Sequence, residues 1–179
     1  MRYTSQIGQD KFVLKQLKFK RNGTFVDIGA GHPILINNTY VMEREYGWKG
    51  LSVDYGHNMA LGCKELSDAE YLKFWNSCRV NALELGDALQ VDFEKLFEKA
   101  KLPKVIDYLD IDICPPKASL HCLMRLPFDK YKFRVITFEH DDYKDNTNKE
   151  PSRKFLLGLG YKYVQSTNPA QEDWYLLKG

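Results

Sequence analysis

Acidic residues recur in this chain at the ends of short apolar runs. Asp27 follows Thr24-Phe25-Val26, Asp54 follows Leu51-Ser52-Val53, Asp87 sits in Gly86-Asp87-Ala88, and Asp110 and Asp112 fall within Asp107–Ile113. Phe138-Glu139-His140-Asp141-Asp142 adds a base and more acids. A carboxylate in such a place can accept from a hydroxyl or an ammonium group, hold a cation, or take a proton. Directly after the first run come Gly29, Ala30 and Gly31. Glycines without β-carbons let backbone approach a ligand closely, and the helix start that follows offers free amides to an anion.

The loop also says which ligand it suits. A dinucleotide fingerprint needs a third glycine at position 34, where the chain has Ile34. S-adenosylmethionine has no phosphate to cradle. Its amino group calls for a carboxylate, its carboxylate for backbone amides, and its ribose hydroxyls for a second acid. Asp27, the Gly29–Gly31 turn and Asp54 supply these three, and Asp54 lies 25 residues after Gly29, close to the roughly 20 expected of a ribose-binding acid. Tyr55 goes with Asp54 as a cofactor contact. Asp87 is placed to accept from the adenine amino group, or else to cap the next helix.

The two-residue period of a strand puts Asp110 and Asp112 on one face. Asp110 is assigned to the cofactor, and Asp112, nearer the carboxyl end, to donor or substrate; the other reading of both is an interior carboxylate satisfied by amides or an arginine. Glu139 and His140 point to opposite faces of their strand. Asp112, His140 and Glu139 are the candidate catalytic groups, with His140 or Asp112 as base. A competing reading gathers Asp110, Asp112, Glu139, His140 and Asp141 around Mg²⁺ or Mn²⁺ in a hydrolase. It leaves the glycine turn and Asp54 without a task, so no metal is expected.

These residues need elements to position them, and the alternation of β-branched runs with helical patterns predicts an α/β, doubly wound, Rossmann-like sheet. A helix is expected over Ser5–Phe19, capped by Ser5 or Thr4, then strand Thr24–Ile28, helix Asn38–Tyr46, strand Gly50–Asp54 and a helix from Met59 to Leu66. Asp68–Asp87 reads equally as helix face or buried strand. Helix Val91–Ala100, strand Val105–Ile113, a short helix Leu120–Leu126, strand Arg134–His140 and helix Ser152–Leu159 follow. Tyr161–Gln165 and Trp174–Leu177 form an antiparallel hairpin turning at Asn168-Pro169. Ligands of such sheets bind beyond the carboxyl ends of the strands, where the acids lie.

Composition narrows the partners. The 179 residues favour a single domain, with residues 1–22 as a helical segment packed on the core, and 26 basic against 24 acidic residues give a net charge of +2. Lys11, Lys15, Lys18, Lys20 and Arg21 alternate with apolar residues as the wet face of one helix rather than as a nucleic-acid stripe. Cys63, Cys78, Cys114 and Cys122 form no CxxC pair and read as reduced thiols. With no apolar leader and no run of ~18 apolar residues, neither secretion nor a membrane is expected, and the cytoplasm is the expected location. The Asn-x-Thr matches at Asn22 and Asn37 then read as chance.

Several blocks carry a family likeness in the right order: Ser5–Asp10, Phe25-Val26-Asp27-Ile28-Gly29-Ala30, Asn38-Thr39-Tyr40, Gly47-Trp48-Lys49-Gly50, Asp107-Tyr108-Leu109, Ile136–His140 and Gly160–Tyr163. Together they resemble the FkbM family of S-adenosylmethionine-dependent methyltransferases. The resemblance implies a class I methyltransferase fold, no metal, and O-methylation of a hydroxyl on a sugar, a glycan or a small natural product. It implies Asp27, Gly29, Gly31 and Asp54 as cofactor contacts, with the Ser5–Asp10 segment near the same pocket. Cys114-Pro115 stands where the family usually has Glu-Gly, and His32-Pro33 where a third glycine is common. The first departure opens the alternative of a methyltransferase-like binding module that has lost its chemistry.

Overall fold

The computed structural model describes residues 2–56, 63, 65–143, 147–167 and 171–179. Its centre is a run of short apolar strands: β1 (Thr24–Ile28), β2 (Lys49–Asp54), β3 (Ala82–Leu85), β4 (Val105–Ile111) and β5 (Lys132–Glu139), then β6 (Tyr161–Ser166) and β7 (Glu172–Leu177). They form one seven-stranded sheet in the order β3-β2-β1-β4-β5-β7-β6. β1 to β5 pair in parallel, and β7 runs antiparallel to both β5 and β6. The mostly parallel sheet with an antiparallel C-terminal hairpin is the architecture expected from the sequence.

Six helices cover the faces: α1 (Gln9–Gln16), α2 (Tyr40–Tyr46), α3 (Asp68–Cys78), α4 (Phe93–Lys99), α5 (Pro116–Arg125) and α6 (Lys149–Gly158). The strand period divides the core between them. Val26 and Ile28 face one way, into a cluster with Phe97, Leu123 and Leu156 of α4, α5 and α6. Phe25 and Tyr108 face the other, among Val13, Leu14, Val41 and Met42 of α1 and α2. Asp27 shares the second face with Phe25, and Asp110 shares it with Tyr108. That assignment decides where both acids end up.

Element ends depart from expectation for local reasons. α1 starts at Gln9 behind Gly8, not at Ser5 or Thr4, because the amides of Thr4 and Ser5 and the Ser5 hydroxyl are all spent on the Asp10 carboxylate. α4 starts at Phe93 because Asp92 caps it, accepting from the Lys95 amide. α5 begins four residues early at Pro116, since proline in the first turn has no amide to leave unpaired. The ambiguous stretch after Ser67 divides into α3 and β3, with α3 opened by a Ser67/Glu70 capping box. Most of the expected helix over Met59–Leu66 falls on residues 57–62 and 64, and the Asn168-Pro169 turn on 168–170, outside the described residues; the described Cys63, Glu65 and Leu66 are turn rather than helix, the Leu66 amide closing on the Cys63 carbonyl. All four cysteines are free thiols. Among the described residues no helix is long and apolar enough to cross a membrane.

Candidate functional site

The carboxyl end of β1 is threaded tightly between its neighbours. The Gly29 amide donates to the Val53 carbonyl at 2.8 Å, and the Asp112 amide to the Ile28 carbonyl at 2.9 Å. Gly29 has φ +88°, and a β-carbon built there would lie 1.8 Å from the Asp112 carbonyl oxygen. Only glycine lets the β1 and β4 ends come this close.

Asp54, at the end of β2, holds the turn from the other side. One carboxylate oxygen accepts the Gly31 amide at 2.8 Å and the other the Gly56 amide at 2.9 Å. The Tyr71 hydroxyl of α3 adds a bond to the Gly31 carbonyl. Burial raises the Asp54 pKa, and the two amides oppose that shift. A carboxylate has about four acceptor positions, so two remain beyond these partners among the described residues.

Beyond these turns lie two cavities of about 230 and 480 Å³ that share Gly29, Asp54, Tyr55, Ile113 and Cys114. The smaller extends toward His32 and Asp112, the larger toward Gly86, Asp87 and His121. Together they make a trough across the ends of β1, β2, β3 and β4. Tyr55 is 68% exposed and presents its ring there. Asp87 is not the cap of α4; one oxygen accepts the Leu89 amide at 2.8 Å within its own turn.

Asp112 lines the smaller cavity and shares a hydrogen bond with Glu139. Two carboxyl groups that share a hydrogen bond hold a proton between them. Burial first, and the Glu139 charge second, push the Asp112 pKa well above the usual carboxylate range.

Other expected residues lie elsewhere. Asp27 lines neither cavity; it is buried, accepts the Thr39 hydroxyl at 2.7 Å, and has its pKa raised to about 7 by burial and by Asp110. Asp110 is likewise interior rather than at the trough, accepting from Asn38 at 2.6 Å, from the Tyr108 hydroxyl at 3.0 Å and from Thr137. Asp110 and Asp112 therefore do not work together, because β4 ends between them at Ile111. His140 also departs from expectation. It is fully buried, its Nδ1 accepts the Asp142 amide at 3.1 Å, and its Nε2 lies 3.3 Å from Asp173. It lines neither cavity and is not placed to act as a base there. With Asp110 and His140 so engaged, the competing metal cluster does not converge; among the described residues no three His, Cys, Asp or Glu side chains are arranged around a cation.

The turn amides depart from expectation as well. Gly29 and Ala30 both donate to Val53, and Gly31 to Asp54, so none is left for a ligand carboxylate. His32, noted in the sequence only as a departure, offers a substitute. Its Nδ1 accepts the Ile34 and Leu35 amides at 3.0 and 2.9 Å, which fixes the proton on Nε2 and makes that nitrogen a donor. Partial burial lowers its pKa, which favours this neutral form.

A second group missed in the sequence holds the loop itself. Arg79, 3% exposed after α3, pairs with Glu43 at 2.9 Å and donates to the Pro33 carbonyl, Asn37 and Thr39. Asn37 is buried too; it donates to the Ala30 and His32 carbonyls and accepts from the Tyr40 amide, so its Asn-x-Thr match is structural. The legible signal was the polar run Asn37-Asn38-Thr39 at a helix start. Arg79 gave none.

No protein-family model and no curated protein matches this chain. Solved structures do. The chain is similar to "the Pyocyanin Biosynthetic Protein PhzM" at 15% identity and a TM-score of 0.52, covering 96% of this chain and 55% of that one. It is similar to the O-methyltransferase NovP at 11% identity and a TM-score of 0.64, covering 96% and 78%. A Haemonchus contortus N-methyltransferase solved with phosphomonomethylethanolamine and S-adenosylhomocysteine matches at 18% identity and a TM-score of 0.56, covering 90% and 39%. The chain thus spans about half of PhzM and less of the nematode enzyme. At these identities the likeness establishes the fold: a class I methyltransferase architecture.

Proposed function

We infer that the chain is an S-adenosylmethionine-dependent methyltransferase whose acceptor is a hydroxyl on a sugar, a glycan or a small natural product. The observation that carries this reading is the Asp54 carboxylate, clamped by Gly31 and Gly56 with acceptor positions to spare, at the middle of a trough that joins two cavities. The solved methyltransferases of the same fold support the donor, and the FkbM resemblance supports the hydroxyl acceptor.

In this reading Asp54 accepts from the ribose hydroxyls, Asp87 from the adenine amino group, and Tyr55 covers the nucleoside. His32 donates from Nε2 to the amino-acid carboxylate. The Asp112–Glu139 pair holds a proton and keeps negative charge beside the amino group. When bound, the cofactor would supply an electrophilic methyl group on its sulfonium sulfur, which would leave as a neutral thioether. The acceptor's proton passes to the Asp112–Glu139 pair. Positioning supplies most of the rate, as in transfers where donor and acceptor are held in line.

Calorimetry with S-adenosylhomocysteine on wild type and Asp54→Ala tests the reading. Binding that Asp54→Ala weakens by about tenfold or more, the worth of one or two charge-assisted hydrogen bonds, is expected. Folded protein that binds nothing at millimolar ligand overturns it. A binding module without chemistry is favoured by one observation: Cys114, exposed where both cavities meet, stands in place of the family's usual acid. Donor binding without methyl transfer to any hydroxylated acceptor would select that reading.

A further inference from the structure

A third cleft, of about 590 Å³, lies against the outer side of α2 and belongs to neither part of the trough. Tyr3 and Thr4 of the N-terminal arm form one wall, Tyr40, Val41, Arg44 and Glu45 of α2 another, and Ile34, Leu35 and Ile36 a third. Tyr40 and Arg44 are four residues apart on a helix, as are Val41 and Glu45, so α2 presents each pair on one face. The volume lies within the roughly 300–1,000 Å³ of small-molecule sites.

The cleft is built. The Thr4 amide donates to Asp10 at 2.7 Å and its hydroxyl to the Asn37 carbonyl at 2.9 Å, which pins the arm against the loop before α2. Lys11 sits 5.9 Å from the centre of the Tyr3 ring. Ile36 holds φ +52°, a left-handed conformation that β-branched residues rarely adopt. Its neighbours' hydrogen bonds keep Leu35 and Ile36 turned outward, 56% and 48% exposed. These two side chains also line the smaller cavity of the trough. One thin wall therefore separates the cleft from the end of the trough where His32 and Asp112 lie.

Charge identifies the occupant. The cleft is walled mainly by apolar and aromatic groups, with Arg2, Arg44 and Glu45 as its charged residues. Neither guanidinium has a hydrogen-bond or ion-pair partner among the described residues, whereas Arg79 and Arg153 are fully engaged. Two free guanidiniums against one carboxylate on an apolar floor fit a ligand with an apolar body and an anionic head.

We propose that this cleft binds small amphiphilic anions, an apolar or aromatic body carrying a carboxylate or phosphate. Leu35 and Ile36 stand between this cleft and the trough, so the site is separate from the donor site and does not rest on the methyltransferase reading. Arg2 and Arg44 are specificity residues for the head group, and Tyr3 and Tyr40 flank the body.

The experiment is calorimetry of the full chain with 2-naphthyl phosphate, 2-naphthoate and the neutral 2-naphthalenemethanol. The two anions are expected to bind at least about tenfold more tightly than the alcohol, and Arg2→Gln/Arg44→Gln to bring all three within about threefold. Both arginines are exposed, and an unchanged urea-unfolding midpoint reports that the double variant is folded. Saturating S-adenosylhomocysteine should leave probe affinity unchanged. The proposal is overturned if the alcohol binds as well as the anions, if the double variant binds the anions unchanged, if S-adenosylhomocysteine displaces them, or if no probe binds at millimolar concentration. Anion binding without S-adenosylhomocysteine binding removes the methyltransferase reading while the site stands. The converse removes the site alone.

Discussion

Gly29→Ala measures how tightly the ends of β1 and β4 must approach. The added methyl would sit 1.8 Å from the Asp112 carbonyl, so the two strand ends must part by about 1.2 Å to reach 3.0 Å, the shortest contact real β-carbons make. Two costs add. Holding a residue with a β-carbon at φ +88° costs roughly 1–2 kcal/mol, and overpacking costs roughly 1–3 kcal/mol. Gly8 is the internal control, because it has φ +96° and nothing within 4 Å of the same added methyl. Gly8→Ala should therefore lose only the first amount, about 1–2 kcal/mol, and Gly29→Ala about 2–5 kcal/mol. Urea unfolding read by tryptophan fluorescence gives both. S-adenosylhomocysteine calorimetry on the same samples should show affinity lost in Gly29→Ala alone, since only there does the trough open. Equal losses of stability in the two variants would refute the reasoning.

Arg79→Met leaves Glu43 charged and buried without its partner, and should cost about 3–5 kcal/mol in urea unfolding; a loss under about 1 kcal/mol would contradict the role given to Arg79. Asp27 has its folded pKa raised from 3.8 to about 7, so the folded state holds the proton more tightly than the unfolded chain. Its contribution to stability is full below about pH 4 and lost as pH rises through 7, with a ceiling near 4 kcal/mol, which Asp27→Asn should abolish. Unfolding at pH 4.5 and 7.5 reads the difference, and an unchanged pH slope in Asp27→Asn would count against it. His32→Ala should weaken S-adenosylhomocysteine but not adenosine, because only the former carries the carboxylate; equal weakening of both would place His32 at the nucleoside instead.

The topology was legible because each β-branched run is short, apolar and bounded by a turn, and β1 begins and ends where the run Thr24–Ile28 does. The hairpin of β6 and β7 was legible for the same reason. Strand period alone could not tell which side of the sheet faces the ligand. Asp27, Asp54, Asp110 and Asp112 look alike in sequence, yet Asp54 and Asp112 sit past the last paired apolar residue of their strands, while Asp27 and Asp110 sit one residue inside and turn under α2. His140 illustrates the other limit: its partners Asp142 and Asp173 come from a local turn and from β7, and Asp173 is far away in sequence. The Arg79 network was invisible for the same reason, since its bonds to Glu43, Asn37 and Thr39 span 36, 42 and 40 residues. The turn sequence alone does not reveal that its amides are taken by Val53 and Asp54 of the neighbouring strand.

The central claim is that the donor lies across the ends of β1, β2, β3 and β4, anchored on Asp54. Amide hydrogen exchange with and without S-adenosylhomocysteine tests it most directly. Simultaneous slowing in residues 29–31, 54–56, 86–89 and 112–114, with residues 2–4 and 41–45 unchanged, is the predicted result. No slowing at saturating ligand, or slowing confined to segments away from the trough, would contradict the account.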